Sequence, residues 1–187
     1  MSNALAVDLR EDIWTYEDYL TLPNDGKTYQ VIGGDLFMTA APLIYHQAIS
    51  RNLAFIIWEF VKDHDMGEVF NSPVDIVFGS TNVVQPDIVY VSKKRLDIIK
   101  EKAIFGAPDL VIEILSPTTL QMDVLLKKAL YQRFGVREYW IVDPKEQKVE
   151  VFVMEGGKYE SKGIFFQQDV VEVRMIQGLK VNLTDVF

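Results

Sequence analysis

The sequence predicts an α+β fold: a mixed β-sheet flanked by helices, with an extra hairpin near the N-terminus and extra strands at the C-terminus. Three observations predict it. Short apolar runs bounded by Gly, Pro, Asn and Asp recur along the chain, which is the signature of strands. Two longer segments change to helical spacing. The order is helix, strands, helix, strands, with no internal repeat, linker or low-complexity segment.

Thr15 to Leu20 predicts one short helix, with Thr15 as N-cap and Asp18 reaching back to it. Pro23 to Gly26 is a turn. Tyr29 to Ile32, Gly33-Gly34 and Asp35 to Met38 read as a hairpin with a glycine turn. From Leu43 to about Asp63 the apolar residues Ile49, Leu53, Ile56 and Phe60 form one helical stripe. Strands are expected at Glu68 to Phe70, Val74 to Phe78 and Asp87 to Val91, followed by a polar, partly helical stretch from Lys93 to Lys102. Asp109 to Leu115 is the central strand. A helix from Ser116-Pro117-Thr118 runs to about Phe134, closed by Gly135. Glu138 to Val142 is a strand, Lys148 to Met154 and Tyr159 onward form a hairpin around Gly156-Gly157, and Val170 to Val181 reads as further strand.

The 187 residues suffice for one domain with a real core, and a single domain over 1–187 is expected. With no cysteine there is no disulfide, thiolate nucleophile or Cys-based zinc site, and two histidines leave little for a His-rich metal site. Neither a signal peptide nor an apolar run long enough to span a bilayer is visible, so a cytoplasmic protein with no membrane partner is the expectation. The net charge of -8 argues against a surface built for non-specific phosphate binding; a basic groove would have to be local or assembled across a dimer.

The central strand carries the chemistry. Side chains alternate along it, so Leu110, Ile112 and Ile114 share one face while Val111, Glu113 and Leu115 share the other. Glu113 thus stands in an apolar ribbon, and an ionised carboxylate there needs a cation, a metal or a hydrogen-bond network. A plain structural ion pair is the bland alternative. Three features favour a site. Asp87 follows Pro86 at the mouth of its own apolar strand, where a second carboxylate helps build an oxygen-rich Mg²⁺ site, although an aspartate there also stabilises turns. Asp123, Lys127 and Tyr131, spaced four apart, share one face of the following helix; alone they would form no more than an ordinary i,i+4 pair. Asp75 faces away from Val74 and Ile76, as a solvent-facing residue of an amphipathic strand also does. Two carboxylates of this kind hold a divalent ion that polarises a phosphate oxygen, and a lysine beside them offsets transition-state charge.

These residues bring a family into view. Gln85-Pro86-Asp87, the run Glu113-Ile114-Leu115-Ser116-Pro117, then Asp123, Lys127, Tyr131 and the long motif from Gly135 to Pro144 with Tyr139-Trp140 closely resemble the Uma-type, restriction-endonuclease-like proteins of the PD-(D/E)xK nuclease superfamily. The resemblance runs from Tyr29 to Phe187. It implies a restriction-endonuclease-like core, with Asp87 and Glu113 as metal ligands and catalytic residues for Mg²⁺ (or Mn²⁺). The superfamily's lysine falls at Leu115; the resemblance implies that the role passes to Lys127, which a helix packed on that strand can aim back at its end. Lys128 points about 100° away. Gln30 stands where the family usually shows glutamate, losing a charge but able to orient a water; His46, which alone would more often be a capping or core histidine, also matches a family position and is a candidate to line the site. The expected activity is cleavage of DNA phosphodiester bonds by a homodimer. The alternative from another class is a nuclease-fold module without turnover, serving in nucleic-acid or protein binding.

Overall fold

Asp109 to Leu115 is expected to be the central strand, and in the computed structural model its core, Leu110–Ile114, lies inside a six-stranded sheet. The structure describes residues 13–39, 42–116 and 122–187, without the side chains of Thr39, Met122, Asp123 and Val124. The chain begins with α1 (Tyr16–Tyr19), β1 (Thr28–Ile32), β2 (Asp35–Thr39) and the long helix α2 (Ile44–Asp63). Strands β3 (Gly67–Asn71), β4 (Ile76–Val77), β5 (Val83–Val84) and β6 (Ile88–Ser92) follow. Next come a 3₁₀ segment (Lys93–Ile98), β7 (Ile104–Phe105) and β8 (Leu110–Ile114). A π-helical turn (Met122–Lys127) leads into α3 (Lys128–Phe134), then β9 (Glu138–Asp143) and the hairpin of β10 (Lys148–Glu155) and β11 (Lys158–Phe166). The end is formed by β12 (Val170–Glu172), β13 (Lys180–Asn182) and a 3₁₀ turn (Leu183–Asp185).

Local chemistry explains the boundaries. Thr15 and Asp18 close the expected capping box on α1. The β1–β2 hairpin turns on Gly33 and Gly34, whose φ of 63° and 89° suit the turn that matches strand twist. Gly135 ends α3 in the left-handed region at φ 83°.

The main sheet runs β11-β10-β9-β8-β6-β3, with β8 and β9 parallel and the other pairs antiparallel. One face is covered by α2 and the C-terminal residues: Ile49, Leu53, Ile57 and Val61 meet Leu110, Ile112, Ile114 and Trp140. The buried stripe of α2, Ile49, Leu53, Ile57 and Val61, is rotated from the expected one; Ile56 and Phe60 flank it, and the C-terminal segment reaches that flank, with Gly178 against Phe60 and the Val186 carbonyl accepting from Asn52 Nδ2 at 3.2 Å. Against the other face lie α3 and a second sheet of order β2-β1-β5-β4-β7. The expected N-terminal hairpin is thus one edge of a five-stranded sheet, and three of its members, β4, β5 and β7, are two-residue strands, too short to show a period. Val170 to Val181 is not one strand but a separate two-stranded sheet, β12 with β13. The expected start of the second helix at Ser116-Pro117-Thr118 runs into 117–121, outside the described residues. No helix among the described residues is long and apolar enough to cross a membrane.

Candidate active site

Glu113 sits mid-strand in β8 and is almost fully buried, at 2% exposure. Its Oε1 accepts a hydrogen bond from the Tyr131 hydroxyl at 2.6 Å and lies 2.9 Å from Lys127 Nζ. Lys127 is equally buried. It ends the π-helical turn and Tyr131 lies one turn on in α3, so the helix presents both to one strand position. Such π turns recur at functional sites. Lys128 instead points its amine at the ring of Phe152, 3.5 Å from the centroid. Leu115, two residues after Glu113, packs among apolar neighbours.

Asp87 comes to the same end of the strand pair. β6 and β8 pair Ile88 with Ile112 and Val89 with Val111, so one step further sets Asp87 opposite Glu113. Its Oδ2 accepts the backbone N–H of Ile114 at 2.7 Å. His46, in the first turn of α2, donates from Nε2 to the Ile114 carbonyl at 2.9 Å; a carbonyl only accepts, so Nε2 carries the hydrogen. The same nitrogen is 3.5 Å from Asp87 Oδ2. β6 ends before it can pair with Ile114, and Asp87 and His46 together satisfy the amide and the carbonyl it leaves exposed. No described residue bonds Asp87 Oδ1, and Asp87 borders a groove of about 650 Å³ between α2 and β3.

The other residues expected at the site are Gln30, Asp75 and Asp123. Gln30 is buried, and its Oε1 accepts the Gln85 backbone N–H at 3.1 Å. Asp75 is not solvent-facing in the plain sense: Oδ1 accepts from Tyr19 Oη at 2.8 Å and from Gln85 Nε2 at 2.6 Å. It lines a different hollow of about 340 Å³. Burial, and then the Asp75 charge, push the Tyr19 hydroxyl's pKa up, which keeps it a donor. The side chain of Asp123 lies outside the described residues. Gln85 and Tyr19 were not among the expected site residues; only the position of Gln85 two before Asp87 hinted at a role.

Asp109 is a contrast within the same strand neighbourhood. It is as buried as Glu113, but its carboxylate is divided between Arg95 at 3.2 Å, Arg137 at 3.0 Å and the Ser92 backbone N–H at 2.8 Å. That is the bland structural ion pair, held from the flanking loops.

The Uma2 family, described as "Putative restriction endonuclease", matches residues 16–184. The chain belongs to that family. A solved structure titled as a putative nuclease belonging to DUF820, from Anabaena variabilis ATCC 29413, is similar at 26% identity with a TM-score of 0.78, over 92% of this chain and 97% of that one. Among curated proteins none matches. Membership of the Uma2 family and this likeness establish the nuclease-like fold, with its mixed sheet flanked by helices. Within that fold, this chain has Leu115 two residues after its strand glutamate and a buried lysine arriving from the next helix.

Proposed function

We propose that this chain is a divalent-metal-dependent nuclease that cleaves DNA phosphodiester bonds with Asp87, Glu113 and Lys127. One observation carries the reading: a lysine amine and a strand carboxylate, both buried, meet at 2.9 Å beside Asp87. The donor set suits Mg²⁺ or Mn²⁺, which take hard oxygen ligands and need only one or two carboxylates plus substrate phosphate. Among the described residues no group of three or more His, Asp or Glu side chains is placed to hold a metal ion. Asp87, through Oδ1, and Glu113 would hold the ion. When bound, it supplies Lewis-acid charge at the phosphate. Tyr131 fixes the Glu113 carboxylate by its hydrogen bond, Lys127 balances that carboxylate and offsets charge developing on phosphate oxygens, and His46 holds Asp87 and the Ile114 carbonyl in place. The test is a cleavage assay of the purified protein with Mg²⁺ or Mn²⁺ on DNA. Cleavage that Glu113→Ala abolishes is expected; equal turnover by that variant rejects the reading.

A second reading, a nuclease-fold module that binds without turnover, is favoured by Gln30. Its amide is neutral and already engaged with the Gln85 backbone, so it adds no charge to the site. Retained oligonucleotide binding with no cleavage under any metal would select it.

A further inference from the structure

The groove that ends at Asp87 is built like a track for a single nucleic-acid strand, and we propose that it holds the unpaired nucleotides flanking the scissile phosphate. The proposal rests on the nuclease reading for its direction, since the track leads to that site. Its floor is one row of α2. His46, Ser50, Ala54 and Trp58 follow at intervals of four, and the row continues to Lys62. His46 touches Asp87, and Lys62 Nζ sits 4.5 Å from the centroid of the Trp58 ring. Arg51 and Phe55 line the same groove from the adjacent row. By helix rise, His46 to Trp58 covers about 18 Å, room for several nucleotides at about 3.4 Å each along a stacked strand.

The chemistry selects the occupant. Trp58 is 42% exposed and Phe55 56%, two large aromatic rings open to solvent along the groove. Aromatic rings open to a groove and accompanied by cations are what single-strand binders offer to bases and backbone. Among its described lining residues the groove carries one basic side chain, Arg51, and one acidic one, Asp87 at the site end. Recognition by stacking also suits a chain with net charge -8, which cannot rely on a broad cationic surface.

The experiment is fluorescence anisotropy of a labelled short oligothymidylate with the full chain in EDTA, so that binding is read without cleavage. Trp58→Ala should weaken binding about five-fold or more, the loss of one stacked base; Trp58→Phe should restore most of it; Arg51→Ala should weaken it too. The salt slope should be shallow, that of about one or two phosphate contacts. Circular dichroism checks that α2 remains folded in each variant. Unchanged affinity in Trp58→Ala, or tighter binding of a blunt duplex of the same sequence, overturns the groove assignment. These outcomes separate from the nuclease reading. A wild-type enzyme that cleaves DNA while Trp58→Ala binds normally leaves only the groove rejected. A protein that binds through Trp58 yet never cleaves leaves the groove and rejects the nuclease.

Discussion

Lys127 Nζ lies 2.9 Å from Glu113 Oε1, and both side chains are almost wholly shielded from solvent. A buried pair of this kind is costly to break from one side, because the remaining buried charge loses the opposite charge beside it. Lys127→Ala is therefore expected to lose cleavage by about 10²-fold or more and to lose about 3–5 kcal/mol of stability. Lys127→Met combined with Glu113→Gln should regain much of that stability and none of the activity. Chemical denaturation and single-turnover assays, run well below each variant's melting point, separate the two effects. Lys128→Ala, whose amine rests over Phe152, should leave cleavage near wild type.

The Tyr131 hydroxyl shares Glu113 Oε1 with that lysine at 2.6 Å. Tyr131→Phe removes one hydrogen bond to a charged group and should cost about 1.5–3 kcal/mol of stability. Its effect on turnover should be smaller than that of Lys127→Ala, since the charge remains. Turnover falling as far as in Lys127→Ala would assign the hydroxyl a direct part in the chemistry.

Divalent metal should stabilise the fold by mass action, about 2.7 kcal/mol when the ion is at 100 times its Kd. Thermal melts with millimolar Mn²⁺ read this as a rise in Tm for wild type and none for Asp87→Asn. An equal rise in both would place the ion elsewhere, and no rise in either would count against a metal site.

Glu138 offers a pH signature outside the site. It is fully buried, with Oε1 accepting from Trp140 Nε1 at 2.8 Å and Oε2 from the Met175 backbone N–H at 2.8 Å. Burial raises its pKa, partly offset by those hydrogen bonds and by Arg174. The folded state thus binds the proton more tightly than the unfolded chain does. The resulting stability is fully present below the unfolded value, about 4.3, and is lost as pH rises through the folded value. Glu138→Gln has no such titration but sets an amide N–H₂ against a donor, so it should be less stable at every pH. Its deficit relative to wild type should shrink as pH rises through that window; melts across the acidic range measure this, and a constant deficit rejects the assignment.

β11 is the outer strand of the main sheet, and Ile164 and Phe166 on it are about half exposed. A long edge strand with apolar side chains invites pairing with a second copy. A homodimer is expected by light scattering at micromolar concentration, with Phe166→Lys shifting it to monomer. A wild-type monomer at that concentration rejects it.

The sequence alone determined the local elements and the singular residue. Periodicity marked α2 and β8, turn chemistry marked the β1–β2 hairpin and the end of α3, and the apolar ribbon around Glu113 showed that a carboxylate there had to be compensated. The family motif pointed to Lys127 as the compensating cation, and four-residue spacing set it beside Tyr131 on the helix face that meets Glu113. What only the tertiary structure decided are the partnerships between distant segments. His46 reaches Ile114 across 68 positions, Tyr19 reaches Asp75 across 56, and Gln30 reaches Gln85 across 55. Periodicity reports which face of an element is apolar, but a polar group is satisfied by whatever the packed layers bring near it. The rotation of the buried stripe on α2 and the two-residue strands β4, β5 and β7 have the same origin. They follow from how α2 is set down on one face of the main sheet and the second sheet on the other, and neither contact leaves a period in the chain.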